Sequence, residues 1–478
     1  MLQTFTSTHL NRYPPAGSPN KTQQRLRIIT ATSLFDGHDA AINIMRRIMQ
    51  SQGVEVIHLG HNRSVTEIVH AAIQEDVDAI AISSYQGGHM EFYRYLIDQL
   101  KVHNVADIKV FGGGGGVILD HEIQQLQAYG VTHIYSPEEG QSLGLVNIIN
   151  DLIRQCAPHS TSLTASTAKQ KITTLSQLPP QNDLLTLAKT LTQLENGLLH
   201  KGLIKQLQQT ARAKRVKSVI LGVTGTGGAG KSSLTDELVQ RFRLDYQDHL
   251  KIAIIAVDPS RKKKQGALLG DRIRMNSIDT AHVFMRSMAT RESTNEIPNA
   301  LPGFIHAFIS YDYDLIIIET PGIGQGDTGI VTLVDTCLYV MTSEYGAGTQ
   351  LEKLNILDFA DLVAINKFER KGSEDALREV QKQIQRNREQ FNQSIESMPV
   401  FGTNAAQMND AGLNKLYRHL YNLLVKQGLA RHDNPMSDSK VQTSPPLIEE
   451  KRQRYLGEIA SSIREYHHQA EQQSQAVR

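Results

Sequence analysis

The chain has 478 residues, with 50 Lys+Arg against 49 Asp+Glu and a formal net charge of +1. That balance excludes the basic excess of a nucleic-acid-binding protein, and no apolar run approaches the roughly 18 residues that suggest a membrane-spanning helix. Two cysteines, Cys156 and Cys337, lie far apart and outside any CxxC pattern, which excludes a disulfide framework or a thiolate zinc site and fits a reducing, cytoplasmic setting.

Residues 1–24 lack an apolar h-region and read as a disordered tail. Residues 25–155 alternate short β-branched runs with helical patterns. "RLRIIT", "GVEVIHLG", "VDAIAISS", "DIKVFGGGG" and "VTHIYS" read as strands, and the segments between them repeat apolar residues at spacings of three and four. The expected fold is α/β, a flavodoxin-like doubly wound parallel sheet that binds ligands beyond the carboxyl ends of its strands. Residues 156–215 begin as a Ser/Thr/Pro-rich linker and continue as a Leu-rich helical segment from Leu184 to about Arg212. Residues 216–430 repeat the α/β pattern, with strands expected at "VKSVILGVTG", "LKIAIIAVDPS", "YDLIIIETPG", "TCLYVMTSE", "DLVAINK" and "MPVFGTNA". Residues 431–478 read as a second linker and a charged terminal helix, with Tyr455, Ile459, Ile463 and Tyr466 on one face for docking.

The motif that decides the second domain is "GTGGAGKS", Gly225 to Ser232, between a strand and a helix. It matches G-x-x-x-x-G-K-[ST], a P-loop. Gly225, Gly227, Gly228, Ala229 and Gly230 turn backbone N–H groups onto phosphate oxygens, Lys231 adds charge to the β/γ phosphates, and the Ser232 hydroxyl, followed by Ser233, can coordinate Mg²⁺. "NKFE" follows a strand where a guanine-reading NKxD belongs. Asn366 can bond the base edge, the Lys367 stem can stack on it, and Glu369 stands where Asp is usual. Asn404 and Ala405 fall in a further base-contacting loop. Glu319 and Gly322 in "ETPG" take the place of the γ-phosphate-sensing DxxG.

These substitutions resemble the metallochaperone GTPases, and within them the subfamily that guards acyl-CoA mutases. The resemblance implies that Ser232, Asp258, Asp271 and Glu319 hold Mg²⁺ directly or through water. It also implies that Arg274 is a switch residue moving toward the phosphates, acting with Lys231 and Glu319 in hydrolysis. The run Arg261 to Lys264 reads as a solvated switch loop.

In the first domain, Asp36-Gly37-His38 sits on the turn from strand to helix. On its own the triplet is a weak signal that reads first as a capping or solvated helix start and only second as a metal ligand with its hydrogen-bond partner, and Asp39 is the residue expected to cap. After Ala41 come 41 residues and then Ser83-Ser84-Tyr85; after another 26 comes the run Gly112 to Gly116. This set resembles the cobalamin-binding signature D-x-H-x-x-G, S-x-L, G-G, with Ala41 for the first Gly and Tyr85 for Leu. The resemblance implies that His38 is the lower ligand of cobalt and that Asp36 fixes its tautomer. Ser83 or Ser84 would then bond the displaced nucleotide tail, and Gly112 and Gly113 would let it pass close to backbone.

Cobalamin domain, linker and GTPase in this order resemble, over essentially the whole chain, the N-terminal half of the fused isobutyryl-CoA mutase family. That resemblance implies adenosylcobalamin, GTP and Mg²⁺ as cofactors, and an acyl-CoA mutase barrel as partner domain or subunit in a homo- or hetero-oligomer, without nucleic acid or membrane. A mutase barrel needs on the order of 250 residues, so it is expected on another or missing segment, and no isomerisation is expected of this chain alone. Two other readings remain open at this level: a chaperone delivering cobalamin to a separate mutase, and a non-enzymatic cobalamin sensor.

Overall fold

The computed structural model describes residues 25–156, 183–260, 266–291, 297–322, 327–346, 351, 355–431 and 455–477. The tail 1–24, residues 157–182 of the linker, Arg261 to Lys264 and residues 432–454 of the second linker lie outside them. The first unit interleaves β1 (Arg27–Ser33), α1 (Ala40–Ser51), β2 (Glu55–Arg63), α2 (Val65–Glu75), β3 (Ala79–Ser83), α3 (His89–Val102), β4 (Lys109–Gly113), α4 (Asp120–Tyr129) and β5 (His133–Tyr135). All pair in parallel in the order β5-β4-β3-β1-β2, the doubly wound arrangement expected. Every residue of β1 and β3 is buried, as strands covered by helices on both faces must be. Two further helices, α5 (Pro137–Leu143) and α6 (Leu145–Cys156), close the unit.

The Leu-rich segment forms α7 (Leu184–Glu195) and α8 (Lys201–Lys214). Leu187, Ala188 and Leu191 of α7 are buried in one cluster with Ile255, Phe284 and Phe304 of the second unit. That unit contains β6 (Val219–Gly225), α9 (Lys231–Asp245), β7 (Ile252–Asp258), β8 (Ala267–Leu269), β9 (Val283–Ala289), α10 (Leu301–Ser310), β10 (Leu315–Glu319), β11 (Thr336–Met341), β12 (Leu362–Asn366), α11 (Ser373–Asn387), β13 (Val400–Thr403) and α12 (Ala411–Lys426). Seven of these strands form a parallel sheet in the order β13-β12-β11-β6-β10-β7-β9. The terminal helix α13 (Tyr455–Val477) forms, with Ile463 and Tyr466 exposed.

β8 does not join that sheet. It pairs in parallel with β2, Glu55 opposite Ala267 and Ile57 opposite Leu269, and becomes the sixth strand of the first sheet. Close approach makes the graft possible: a Cβ on Gly266 would lie 2.2 Å from the Gln50 carbonyl oxygen. Neither β8 nor β9 was among the expected strands.

A buried charge cluster reinforces the junction. Arg27, Arg272, Arg286 and Arg291 meet Glu55, Glu75 and Glu195, drawn from β1, β2, α2, α7 and the β8–β9 region. Glu75 is held by Arg27 at 2.8 Å and by the Ser287 amide and hydroxyl at 3.0 and 2.9 Å. Glu195 is held by Arg27 at 2.9 Å and Arg291 at 3.2 Å. Burial pushes the Glu195 carboxyl up, but the three guanidiniums around it pull harder and leave it below the ordinary range.

His58 on β2 introduces a pH dependence. Burial, with Arg46 beside it, pushes its imidazole from 6.5 down to about 4, although Thr30 Oγ1 lies 3.0 Å from Nδ1. A depressed histidine favours the folded state fully above its unfolded value, and that contribution is lost as pH falls from 6.5 toward 4. We expect the wild-type chain to lose on the order of 2–3 kcal/mol relative to His58→Gln across that window. Denaturant unfolding of the two proteins at matched pH checks this, because other titrating groups cancel in the difference. A pH-independent difference would contradict it.

Candidate functional site

Two sites stand at the carboxyl ends of the two sheets. In the first, β1 runs into Phe35-Asp36-Gly37-His38 before α1 begins. Asp36 is 2 % exposed, whereas the His38 side chain is 76 % exposed. Asp36 Oδ1 accepts from the His38 amide and lies 2.9 Å from His38 Nδ1, while Oδ2 accepts from the Tyr85 amide at 2.6 Å. Burial raises the Asp36 carboxyl, but these donors outweigh it and hold it below the ordinary value. An ionised Asp36 beside Nδ1 favours the Nδ1–H tautomer, the one that leaves Nε2 as the donor a metal requires.

Asp39 does stand at the α1 N-cap, but it does not cap. Its backbone is helical (φ −95°, ψ −9°), not extended as a side-chain cap requires, and Oδ2 instead accepts from Asn43 Nδ2 at 3.1 Å.

Ser83 ends β3 opposite Thr32 and Gly113. The Ser84 hydroxyl is buried in a 2.9 Å bond with Ser33, a partner absent from the sequence reading. Part of the glycine run serves the protein's own packing. A Cβ would meet Tyr93 Oη at 2.4 Å from Gly112, the Ser84 carbonyl oxygen at 2.4 Å from Gly114, and the Tyr85 ring at 2.3 Å from Gly115. Gly113 and Gly116 have no neighbour so close. The Tyr85 ring stands between the glycine loop and His38, with its centroid 5.7 Å from the imidazole. An exposed imidazole on a buried carboxylate beside a glycine loop fits a cobalamin lower-ligand site.

At the second site, β6 turns through the P-loop into α9. Gly225, Gly228 and Gly230 have positive φ values of 144°, 73° and 86°. Ala229 is buried, and Ser233 follows Ser232 into the first turn of α9. Lys231 Nζ donates to the Gly225 and Thr226 carbonyls, both at 3.2 Å. Ser232 Oγ donates to Glu319 Oε1 at 2.7 Å, and both residues are buried. A Cβ on Gly322 would lie 2.2 Å from Lys231 Nζ, and Gly227 approaches the Gly322 carbonyl. The DxxG-like segment therefore closes directly over the P-loop lysine, and a hydroxyl and a carboxylate converge there as hard oxygen donors suited to Mg²⁺. Asp258 ends β7, and Asp271 and Arg274 bound the turn 271–274; the Asp271 side chain lies outside the described residues.

The residues expected to read the base lie against the same loop. Asn366 Nδ2 donates to the Ala229 carbonyl and Oδ1 accepts from the Ala405 amide, at 2.8 and 3.1 Å. Lys367 Nζ reaches the Gly228 carbonyl at 2.8 Å. Asn404 turns onto the Ala406 amide, and Glu369 lies exposed in the turn after β12.

Comparison with known proteins agrees with this layout. Residues 187–443 match the family described as Methylmalonyl Co-A mutase-associated GTPase MeaB, and residues 26–139 match the B12 binding domain. The chain is 53% identical over 468 residues to a fused isobutyryl-CoA mutase of Cupriavidus metallidurans, covering 97% of this chain and 42% of that protein. It is 49% identical over 467 residues to another from Geobacillus kaustophilus, covering 96% and 42%. GTPase ArgK of Escherichia coli is 32% identical over 39% of this chain and 56% of its own length. The chain thus spans less than half the length of the fused relatives. No helix among the described residues is long and apolar enough to cross a membrane. With a P-loop closed by Gly322 and braced by Asn366, behind a sheet that presents His38 on Asp36, the chain belongs to the MeaB family of mutase-associated GTPases and carries a B12 binding domain ahead of its GTPase.

Proposed function

We propose that this chain is the cobalt-ligating and GTP-hydrolysing part of a radical acyl-CoA mutase that interconverts isobutyryl-CoA and butyryl-CoA. The observation that carries the reading is β8: a strand of the GTPase is hydrogen-bonded into the sheet that bears His38. Adenosylcobalamin, when bound, supplies the weak cobalt–carbon bond from which the radical chemistry starts. His38 would hold cobalt through Nε2, and Asp36 would orient the ring. Ser83 or Ser84, with Gly112 and Gly113, would receive the nucleotide tail. In the GTPase, Lys231 balances phosphate charge, Ser232, Asp258, Asp271 and Glu319 hold Mg²⁺, and Arg274 moves toward the phosphates. Asn366, Lys367, Glu369, Asn404 and Ala405 read guanine. Hydrolysis then gates cofactor loading or repair. The acyl-CoA pocket belongs to a mutase barrel on a further segment or separate subunit, in a cytoplasmic homo- or hetero-oligomer.

The test adds a separately expressed mutase barrel and adenosylcobalamin and follows isobutyryl-CoA conversion with and without GTP. Turnover is expected only when this chain and the barrel are both present. Turnover by this chain alone overturns the division of labour, and none from the complete mixture overturns the mutase reading.

A further inference from the structure

The carboxyl end of β2 is irregular in a way that joins the two sites. Its pairing with β1 runs Thr30 to His58, then slips to Ala31 with Gly60, and slips again to Ser33 with Arg63. Such bulges bend a strand and re-aim the residues beyond it. At the first slip Gly60 has φ +87°, and a Cβ there would lie 2.7 Å from Ile273 Cδ1. Ile273 belongs to the 271–274 turn of the GTPase and is packed directly onto β2 backbone. Its carbonyl also accepts from Arg63 Nη2 at 3.4 Å.

At the second slip stands Asn62, left-handed at φ 56°. Its amide donates to the Asp36 carbonyl at 3.2 Å and to Thr32 Oγ1 at 3.1 Å, and its Oδ1 accepts from the Phe35 amide at 2.7 Å. Phe35 is itself left-handed at φ 64° and 83 % exposed. Left-handed backbone at non-glycine residues persists where its surroundings over-determine it, and here Asn62 and Phe35 hold each other. The next residues are Asp36 and His38. On its other side the 271–274 turn packs on the P-loop helix α9, and Asp236 of α9 accepts from the Asn276 and Ser277 amides at 2.9 and 2.7 Å.

We infer that Asn62 is a positioning residue for the His38–Asp36 pair, and that Ile273, seated on the Gly60 bulge, links the nucleotide state to it. The inference rests on the cobalamin and GTPase reading above and gives it a route: α9 and Arg274 move the turn, Ile273 moves the bulge, and Asn62 re-aims the Phe35–His38 loop. The Asn62 part depends only on the local hydrogen bonds; the Ile273 part also needs the nucleotide to matter.

The test titrates the full chain with adenosylcobalamin in the presence of GDP or a non-hydrolysable GTP analogue, reading affinity and the His-on absorption spectrum. In the wild type, affinity is expected to differ between the two nucleotides by on the order of 5–150-fold, the usual range of coupling between sites. Asn62→Ala should weaken cobalamin binding roughly 10–100-fold and lower the His-on fraction with either nucleotide. It should leave nucleotide affinity of the cofactor-free chain unchanged, and Asn62→Asp, which keeps the acceptor, should restore the spectrum. Ile273→Ala should keep wild-type cobalamin affinity with GDP while the ratio between nucleotides collapses toward one. A wild-type spectrum and affinity in Asn62→Ala overturn the positioning role. A retained ratio in Ile273→Ala overturns the link while leaving GTP gating intact. A ratio of one in the wild type overturns the gating reading and the link together, with the Asn62 result standing by itself.

Discussion

A His38→Ala chain is expected to bind adenosylcobalamin without the His-on absorption spectrum and at least roughly 10–100-fold more weakly, a cost already reached when only the hydrogen-bond partner of a metal-bound histidine is removed. The expectation follows from the contrast in burial across one 2.9 Å contact: Asp36 is sealed in and His38 is open. Because Asp36 is held below its ordinary value, its carboxylate is charged at neutral pH and accepts from the imidazole. Asp36→Asn should fall between wild type and His38→Ala, since the single amide oxygen can accept from only one of the Tyr85 and His38 backbone N–H groups, which use separate carboxylate oxygens in the wild type, and no longer favours the Nδ1–H tautomer by charge. Absorption spectra of the three proteins with saturating cofactor decide the matter. An unchanged spectrum in His38→Ala would remove histidine 38 from the cobalt.

Glu195→Ala is expected to be the most destabilising single change at the junction, by about 3–5 kcal/mol. Its carboxylate is shared by Arg27, Arg286 and Arg291, contributed by the cobalamin unit and the GTPase. Deletion leaves Glu55 and Glu75 as the other acids named in the cluster, with Arg27 and Arg286 almost fully buried. A thermal transition lowered by on the order of 10 °C is the corresponding reading. Glu195→Gln, which keeps the volume and loses the charge, should also destabilise, so the effect is electrostatic more than steric. Differential scanning calorimetry should show both units affected, because both contribute to the cluster. An alanine variant melting like wild type would mean that the remaining acids already neutralise the site.

Much of this architecture was legible because it is written locally. Parallel strands buried on both faces are apolar runs, so "LIIIE" and "VILGVTG" announce themselves. A P-loop needs small residues at set intervals and a lysine at its end, whatever surrounds it. β9 was not legible because Arg286 interrupts "VFMRSMA", and only partners from α7 and α2 make a buried arginine tolerable there. β8 is three residues long and its pairing partner lies more than two hundred residues earlier, so no local pattern marks it. Ser33 and Asn62 escaped for the same reason: each acts on a residue brought near by the fold. Asp39 shows the converse case. Its position at the helix start was readable, but its backbone angles, which decide whether it caps, were not.

The grafted strand also limits how this protein can be taken apart. A fragment cut in the 156–215 region would carry away the cobalamin unit without β8, and β2 would become an edge with open N–H and C=O groups along "EVI". Bare apolar edges recruit other strands, so such a fragment would tend to self-associate by sheet extension. Its solution behaviour would then report the missing strand before it reported anything about the cofactor.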